Sequence, residues 1–142
     1  MKLSDSEAAY IAGFIDGEGT INVLNTRLKR TKRGQFTVHI TIDQVDPRPM
    51  IWMHSKVGGS LFAKTDKRPN HRPMTRWVIG GAACEDLLRR VLPYLINKHD
   101  KANIALAMRE SLNAGYCTKY PVPEEEYQRR LRLVASAKAE SL

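Results

Sequence analysis

The sequence predicts an α+β fold in which one four-stranded antiparallel sheet carries helices on one of its faces. Three observations point there. A capped helical segment changes period abruptly at Gly19, where strand-like alternation begins. Two alternating strand pairs follow, each closed by a polar, basic tip. Helical segments separate and follow those pairs, so the order is helix, hairpin, helix, hairpin, helices, and one sheet face is left to solvent or to a ligand.

The first helix opens with a capping box, Ser4 to Glu7, and is expected from about Asp5 to Asp16. Past Gly19, TINVLNT and QFTVHITID both alternate. In the second, Phe36, Val38, Ile40 and Ile42 share one face, while Thr37, His39, Thr41 and Asp43 share the other. The intervening RLKRTKRGQ is too long for a two-residue turn and dense in cations. DPRPMIWMHSKVGG reads as a second helix, with Asp46 as N-cap, Pro47 in the first turn and Gly58-Gly59 as its stop. SLFAKT and MTRWVIG make the second strand pair, joined by DKRPNHR.

AACEDLLRRVLPYL is a third helix, stopped or kinked at Pro93. KANIALAMRESLNAG is a fourth, with Ile104, Ala105, Met108 and Leu112 as its buried stripe. After YPVP the pairs Glu125–Arg129 and Glu126–Arg130, spaced i,i+4, favour a further helix. Its stripe of Tyr127, Leu131 and Val134 is thin, which predicts loose docking. The chain therefore divides into one domain over 1–120 and a charged helical extension over 121–142.

At 142 residues and 42% hydrophobic content, a single domain with a real core is expected. No apolar run reaches the roughly 18–20 residues of a bilayer span, and MKLSDSE turns polar too early for a signal peptide, so no membrane partner is expected. Cys84 and Cys117 lie far apart and read as free thiols of a reducing, intracellular compartment. His39, His54, His71 and His99 are too scattered to build a zinc site with them. The charge is more informative: 23 Lys and Arg against 15 acids give a net charge of +8, which suggests a polyanionic partner, most often nucleic acid.

The open sheet face suits that partner. Thr37, His39, Thr41 and Asp43 would be joined by Asn22 and Thr26 from the first strand, by Ser60, Lys64 and Asp66 from the third, and by Arg72 and Arg76 from the fourth. The hairpin tips add Arg27, Lys29, Arg30, Lys32 and Arg33, then Lys67, Arg68 and His71. A two-stranded ribbon can enter the major groove of double-stranded DNA and read base edges, while basic tips meet phosphates. RNA stays open as the partner, although aromatics of the kind that stack single-stranded bases are not expected on this face.

YIAGFIDGEG, at the end of the first helix, adds a second theme. On a helical wheel Ala9, Gly13 and Gly17 line one face, with Tyr10 and Asp16 at its edges, and Ile11, Phe14 and Ile15 point the opposite way. A stripped face permits close helix approach. The pattern occurs once, so the partner helix is expected from a second copy of the chain. Asp16 and Glu18 sit at the carbonyl end of the helix, where each acid is unfavourable by about 0.3–1 kcal/mol. A divalent cation would reverse that sign, and carboxylate and carbonyl oxygens are the ligands Mg²⁺ prefers.

Ile11–Gly19, IAGFIDGEG, resembles the nonapeptide that names the LAGLIDADG homing endonucleases: Ala12, Gly13, Ile15, Asp16 and Gly19 are identical, and Glu18 is an acid in place of an acid. GGSL, RWVIGG and LPYLINKHDKANIAL also look like family segments, so the resemblance runs from roughly residue 5 to 112. It implies the αββαββα homing-endonuclease fold and a homodimeric, Mg²⁺-dependent endonuclease that cuts a long, near-palindromic DNA target. Mn²⁺ would substitute, and Ca²⁺ would bind without supporting cleavage.

Residue by residue, the resemblance implies Glu18 as metal-binding catalytic acid, with one more methylene than the aspartate of the motif. Gly17 would lend a backbone carbonyl to the metal, and Asp16 a structural role near the dimer contact. Lys98 would border the active site, and Gln44 or Asp46 would hold the water network of the metal. Pro47 and Pro49 depart from the more basic stretch of some relatives, so no role is carried over to Arg48. The resemblance also implies an intron or intergenic coding position, and a place wherever the host DNA lies, whether bacterial or phage-infected cytoplasm or an organelle. An RNA-splicing maturase, or a non-cutting DNA-binding regulator, would use the same fold; the intact acid pair favours the nuclease.

Overall fold

Ser4 caps α1 (Asp5–Glu18) reciprocally: its hydroxyl accepts the Glu7 N–H at 3.1 Å, and Glu7 Oε1 accepts the Ser4 N–H at 2.9 Å. The helix runs two residues past the expected end, until the N–H of Gly19 closes on the Ile15 carbonyl and the backbone turns extended. The computed structural model describes residues 1–28, 31–64 and 72–141. Its further elements are β1 (Gly19–Thr26), β2 (Gln35–Gln44), α2 (Arg48–Val57), β3 (Ser60–Lys64), β4 (Met74–Gly80), α3 (Gly81–Val91), α4 (His99–Leu112) and α5 (Glu124–Ala139). A short 3-10 turn, Leu92–Tyr94, carries the stop expected at Pro93.

The four strands form one antiparallel sheet in the order β1-β2-β4-β3. Alternation in β2 divides as the sequence predicts, with Phe36, Val38, Ile40 and Ile42 buried. Ile21 and Val23 of β1 and Trp77 and Ile79 of β4 complete the inner face. It packs on Ile11 and Ile15 of α1, Met50 and Met53 of α2, Leu87, Leu88 and Val91 of α3, and Ala105 and Met108 of α4, all in one apolar core. Each large aliphatic side chain so buried contributes roughly 1.5–3 kcal/mol. Trp77 fixes the α2–β3 corner: its Nε1 donates to the Gly58 carbonyl at 2.9 Å. Gly59 (φ +91°) must lack a side chain there, because a Cβ would stand 2.7 Å from both Trp77 Nε1 and the Val78 carbonyl oxygen.

Two expectations are corrected. Asp46 is not the N-cap of α2; Pro47 holds that position, and Asp46 instead accepts the Arg48 N–H at 3.1 Å and clasps the Arg48 guanidinium at 2.6 Å. With a proline following it, the aspartate reaches the N–H two residues on, as an Asx turn does. Nor does α5 dock loosely. Ala137 is buried in the core, Tyr127, Leu131, Leu133 and Val134 pack against it, and α5 lies on α4 and β1. Arg130 forsakes the expected surface pair with Glu126: it is only 7% exposed, and its Nε and Nη2 donate to Ser111 Oγ and the Ser111 carbonyl at 2.7 and 3.0 Å. A buried guanidinium needs such partners, and the hydroxyl and carbonyl of Ser111 supply them.

Candidate metal centre and nucleic-acid interface

At the junction of α1 and β1 the two acids separate. Asp16 turns toward its own chain: Oδ2 accepts the Ile96 N–H at 2.7 Å and Oδ1 the Lys98 N–H at 3.1 Å. Its backbone carbonyl accepts Asn97 Nδ2 at 3.2 Å and Lys98 Nζ at 2.6 Å. Asp16 therefore stands at the wrong end of α1 but beside the N-terminal end of α4, where negative charge is favourable. Asn97 escaped sequence reasoning because nothing in LINK marks a side chain that closes a helix distant in the chain.

Glu18 takes the other course. Its carboxylate is exposed, Oε2 accepts Gln44 Nε2 at 2.8 Å, and Oε1 has no hydrogen-bond partner among the described residues. Gln44 ends β2, so the ladder that pairs Gly19 with Ile42 brings the amide to the acid. Lys98 Nζ lies on the carbonyl of Asp16, two residues before Glu18. Glu18, Gln44 and Lys98 thus gather at one end of the sheet, whereas Asp46 is occupied by Arg48.

The donors fit a hard divalent cation. Glu18 offers a free carboxylate oxygen, and Gly17 is exposed, with nothing within 4 Å of where its Cβ would stand. Among the described residues no three His, Cys, Asp or Glu side chains converge as a closed metal cage. A cation at Glu18 would therefore take further oxygens from backbone, water, a second subunit or a phosphodiester.

The outward face of the sheet begins beside this site. Thr20, Asn22, Leu24 and Thr26 of β1 lie in register with Thr41, His39, Thr37 and Gln35 of β2. Asn22 Nδ2 bonds Thr41 Oγ1 at 3.3 Å. Asp43 is held by Arg76 Nε at 2.7 Å and Lys64 Nζ at 3.1 Å. The Arg76 bond first, then that of Lys64, hold its carboxyl down at about 2. His39 is pushed below its ordinary value, chiefly by burial and then by the charge of Arg76, so it faces outward as a neutral ring. Arg27, Lys32 and Arg72 are exposed beyond the strands. Lys29, Arg30, Asp66, Lys67, Arg68 and His71, also expected at this interface, lie outside the described residues.

The face carries more apolar surface than the sequence suggests. Phe62 projects beside Arg76, its register partner, with 48% of its surface exposed, and Met74 and Leu24 are also exposed. The expectation of no aromatic on this face is thereby corrected. Phe62 was legible, because it alternates with Leu61 and Ala63 and so shares a face with Ser60 and Lys64.

Ala9, Gly13 and Gly17 are exposed along α1, and a Cβ at either glycine would meet nothing within 4 Å. Packing inside the chain therefore does not explain these glycines. Tyr10, at the edge of this stripe, is half exposed and stacks edge-on against Trp52 at 5.3 Å.

A sheet open on one face, with an acid-bearing helix end at its margin, is the fold of the homing-endonuclease structures that the chain resembles. No protein-family model matches the chain. In sequence it is similar to DNA endonuclease I-CvuI of Chlorella vulgaris, 29% identical over 105 residues that cover 73% of this chain and 64% of that protein. The chain thus spans just under two thirds of the length of that relative. In structure it resembles I-CvuI in complex with its target in the presence of Ca, with a TM-score of 0.75 and 21% identity over 96% of this chain and 82% of that one. The archaeal intron-encoded homing endonuclease I-Vdi141I, complexed with DNA, aligns at a TM-score of 0.79 with 19% identity, covering 97% of this chain and 86% of that one. Homing endonuclease I-TnaI aligns at a TM-score of 0.64 with 19% identity, covering 99% of this chain and 97% of that one.

Proposed function

We propose that this chain is a site-specific, divalent-metal-dependent DNA endonuclease that acts as a homodimer on a long, near-palindromic duplex. The observation that carries the reading is Glu18: an exposed carboxylate at a helix C-terminus, oriented by Gln44 at 2.8 Å, at the margin of a polar sheet face. The similarity to I-CvuI and to homing endonucleases crystallised on DNA supports it.

Each sheet would grip one half-site. Thr, Asn, His and the Asp43–Arg76–Lys64 cluster would face base edges, and Arg27, Lys32 and Arg72 would meet phosphates. The bare stripe of Ala9, Gly13 and Gly17 lets two copies of α1 approach closely about a dyad, which would bring two Glu18 sites to the centre of the target.

Glu18, with the Gly17 carbonyl, would hold Mg²⁺, and Mn²⁺ would serve in its place. When bound, such a cation supplies Lewis-acid stabilisation of the phosphodiester and lowers the pKa of water. Gln44 fixes the carboxylate by donating to Oε2. Lys98, anchored on the Asp16 carbonyl, would set a positive charge near the phosphate undergoing attack.

The test is selection of cleaved sequences from a randomised duplex pool, with Mg²⁺ or with EDTA. A recurrent near-palindromic target, cut only with the metal, is the expected result. Tight, metal-independent binding without cutting would favour a DNA-binding regulator instead.

A further inference from the structure

The sequence groups Arg33 with the phosphate contacts, yet its guanidinium is engaged within the chain. Nη1 donates to the Val122 carbonyl at 2.8 Å and Nη2 to Glu124 Oε2 at 2.6 Å. The guanidinium carbon stands 4.6 Å from the centre of the Tyr127 ring. Tyr127 meets Phe36 of β2 edge-on at 6.0 Å, and the far neighbour of Phe36 is Arg130, at 5.7 Å. Arg130 is itself fastened to Ser111 of α4. Gly34 returns the chain into β2 with a φ of +71°, a turn that a side chain would block against Asn25 and Thr26. One line of contacts thus runs from the β1–β2 hairpin through α5 to α4.

We propose that α5 is a brace for the DNA-facing β1–β2 hairpin, and that Arg33 and Glu124 are its latch: positioning residues rather than DNA contacts. The inference rests on the DNA-reading role proposed above for the sheet. β4 pairs with β2 only from His39 onward, so the Thr26–Gln35 end of the ladder is two-stranded; such a ribbon is marginally stable by itself and, unbraced, would be ordered only as DNA binds, at a cost in affinity. The latch orders it beforehand. Its ion pair is largely exposed, at 43% and 64% for the two side chains, so little global stability comes from it. The expected effect is local.

Amide hydrogen exchange in the free protein, together with DNA affinity measured across a salt series, tests the brace. Arg33→Ala and Glu124→Ala are each expected to speed exchange of β1–β2 amides near Thr26 and Gln35 by several-fold, with the melting temperature unchanged. Each should weaken DNA binding by a similar factor of about 3–10, with the double variant no worse than either one, since both remove the same preorganised contact. The slope of log K against log salt should stay as in the wild type.

Loss of affinity in Glu124→Ala is diagnostic, because deleting an acid near DNA would otherwise strengthen binding. A direct phosphate contact gives another pattern: Arg33→Ala alone weakens binding and lowers the salt slope by about 0.9, while Glu124→Ala binds as well as or better than the wild type. That pattern, or unchanged hairpin exchange in both variants, overturns the proposal. Should the wild type bind no DNA at all, the endonuclease reading fails, and the exchange result still decides the brace.

Discussion

Asp16 and Glu18 stand two residues apart at the same helix end, and their partners divide the labour between them. Asp16 satisfies the N–H groups of Ile96 and Lys98, so Asp16→Ala leaves both without their acceptor. A loss of about 1–3 kcal/mol is expected in chemical denaturation. Glu18 supports no such network beyond Gln44. Glu18→Gln should leave stability unchanged or raised by about 0.3–1 kcal/mol, since an acid leaves the negative end of the α1 dipole. The same change should cut DNA cleavage by at least about 1,000-fold, as loss of several kcal/mol of transition-state stabilisation implies. His39 supplies a pH dependence. Its folded pKa lies below the ordinary 6.5, so the unfolded chain takes up a proton first as pH falls. Stability is therefore full above about 6.5 and declines as pH drops toward the depressed value. His39→Gln should flatten that decline in denaturation curves measured from pH 7.5 to 5.

At the scale of elements, α1 presents the sharpest contrast between what the chain needs and what it carries. Glycine in a helix interior costs roughly 0.8–1.0 kcal/mol against alanine, and a Cβ at Gly13 meets nothing inside the chain. Gly13→Leu should leave the monomer folded, with unchanged circular dichroism, yet shift analytical ultracentrifugation from dimer to monomer. Most of the architecture was readable because its signals are local. The Ser4–Glu7 box, the period change at Gly19, the alternation of β2 and the glycines after α2 each lie within a few residues of the structure they specify. What escaped depends on partners distant in the chain. Arg130 turns inward because Ser111 waits on α4, Arg33 turns sideways because Glu124 follows β2 by some distance, and Asp16 finds its donors at 96–98. Sequence spacing offered Arg130 only its neighbour Glu126. At the candidate site the identity of Glu18 came from the motif, whereas the Gln44 bond required the β1–β2 register.

For the whole molecule, a +8 chain reading a polyanion should bind with strong salt dependence. On the proposed reading, a second copy joins the outward sheet face, the bare α1 stripe and the Glu18 end of the sheet into one functional surface. Glu18 is the residue proposed to make this surface a metal-dependent nuclease. Its most direct measurement is cleavage of the selected duplex by wild type and by Glu18→Gln, with binding of both followed on the same DNA. The wild type should cut in Mg²⁺ and not in EDTA, and the variant should bind with equal affinity while cutting at least about 1,000-fold more slowly. Cleavage by Glu18→Gln at the wild-type rate would contradict it.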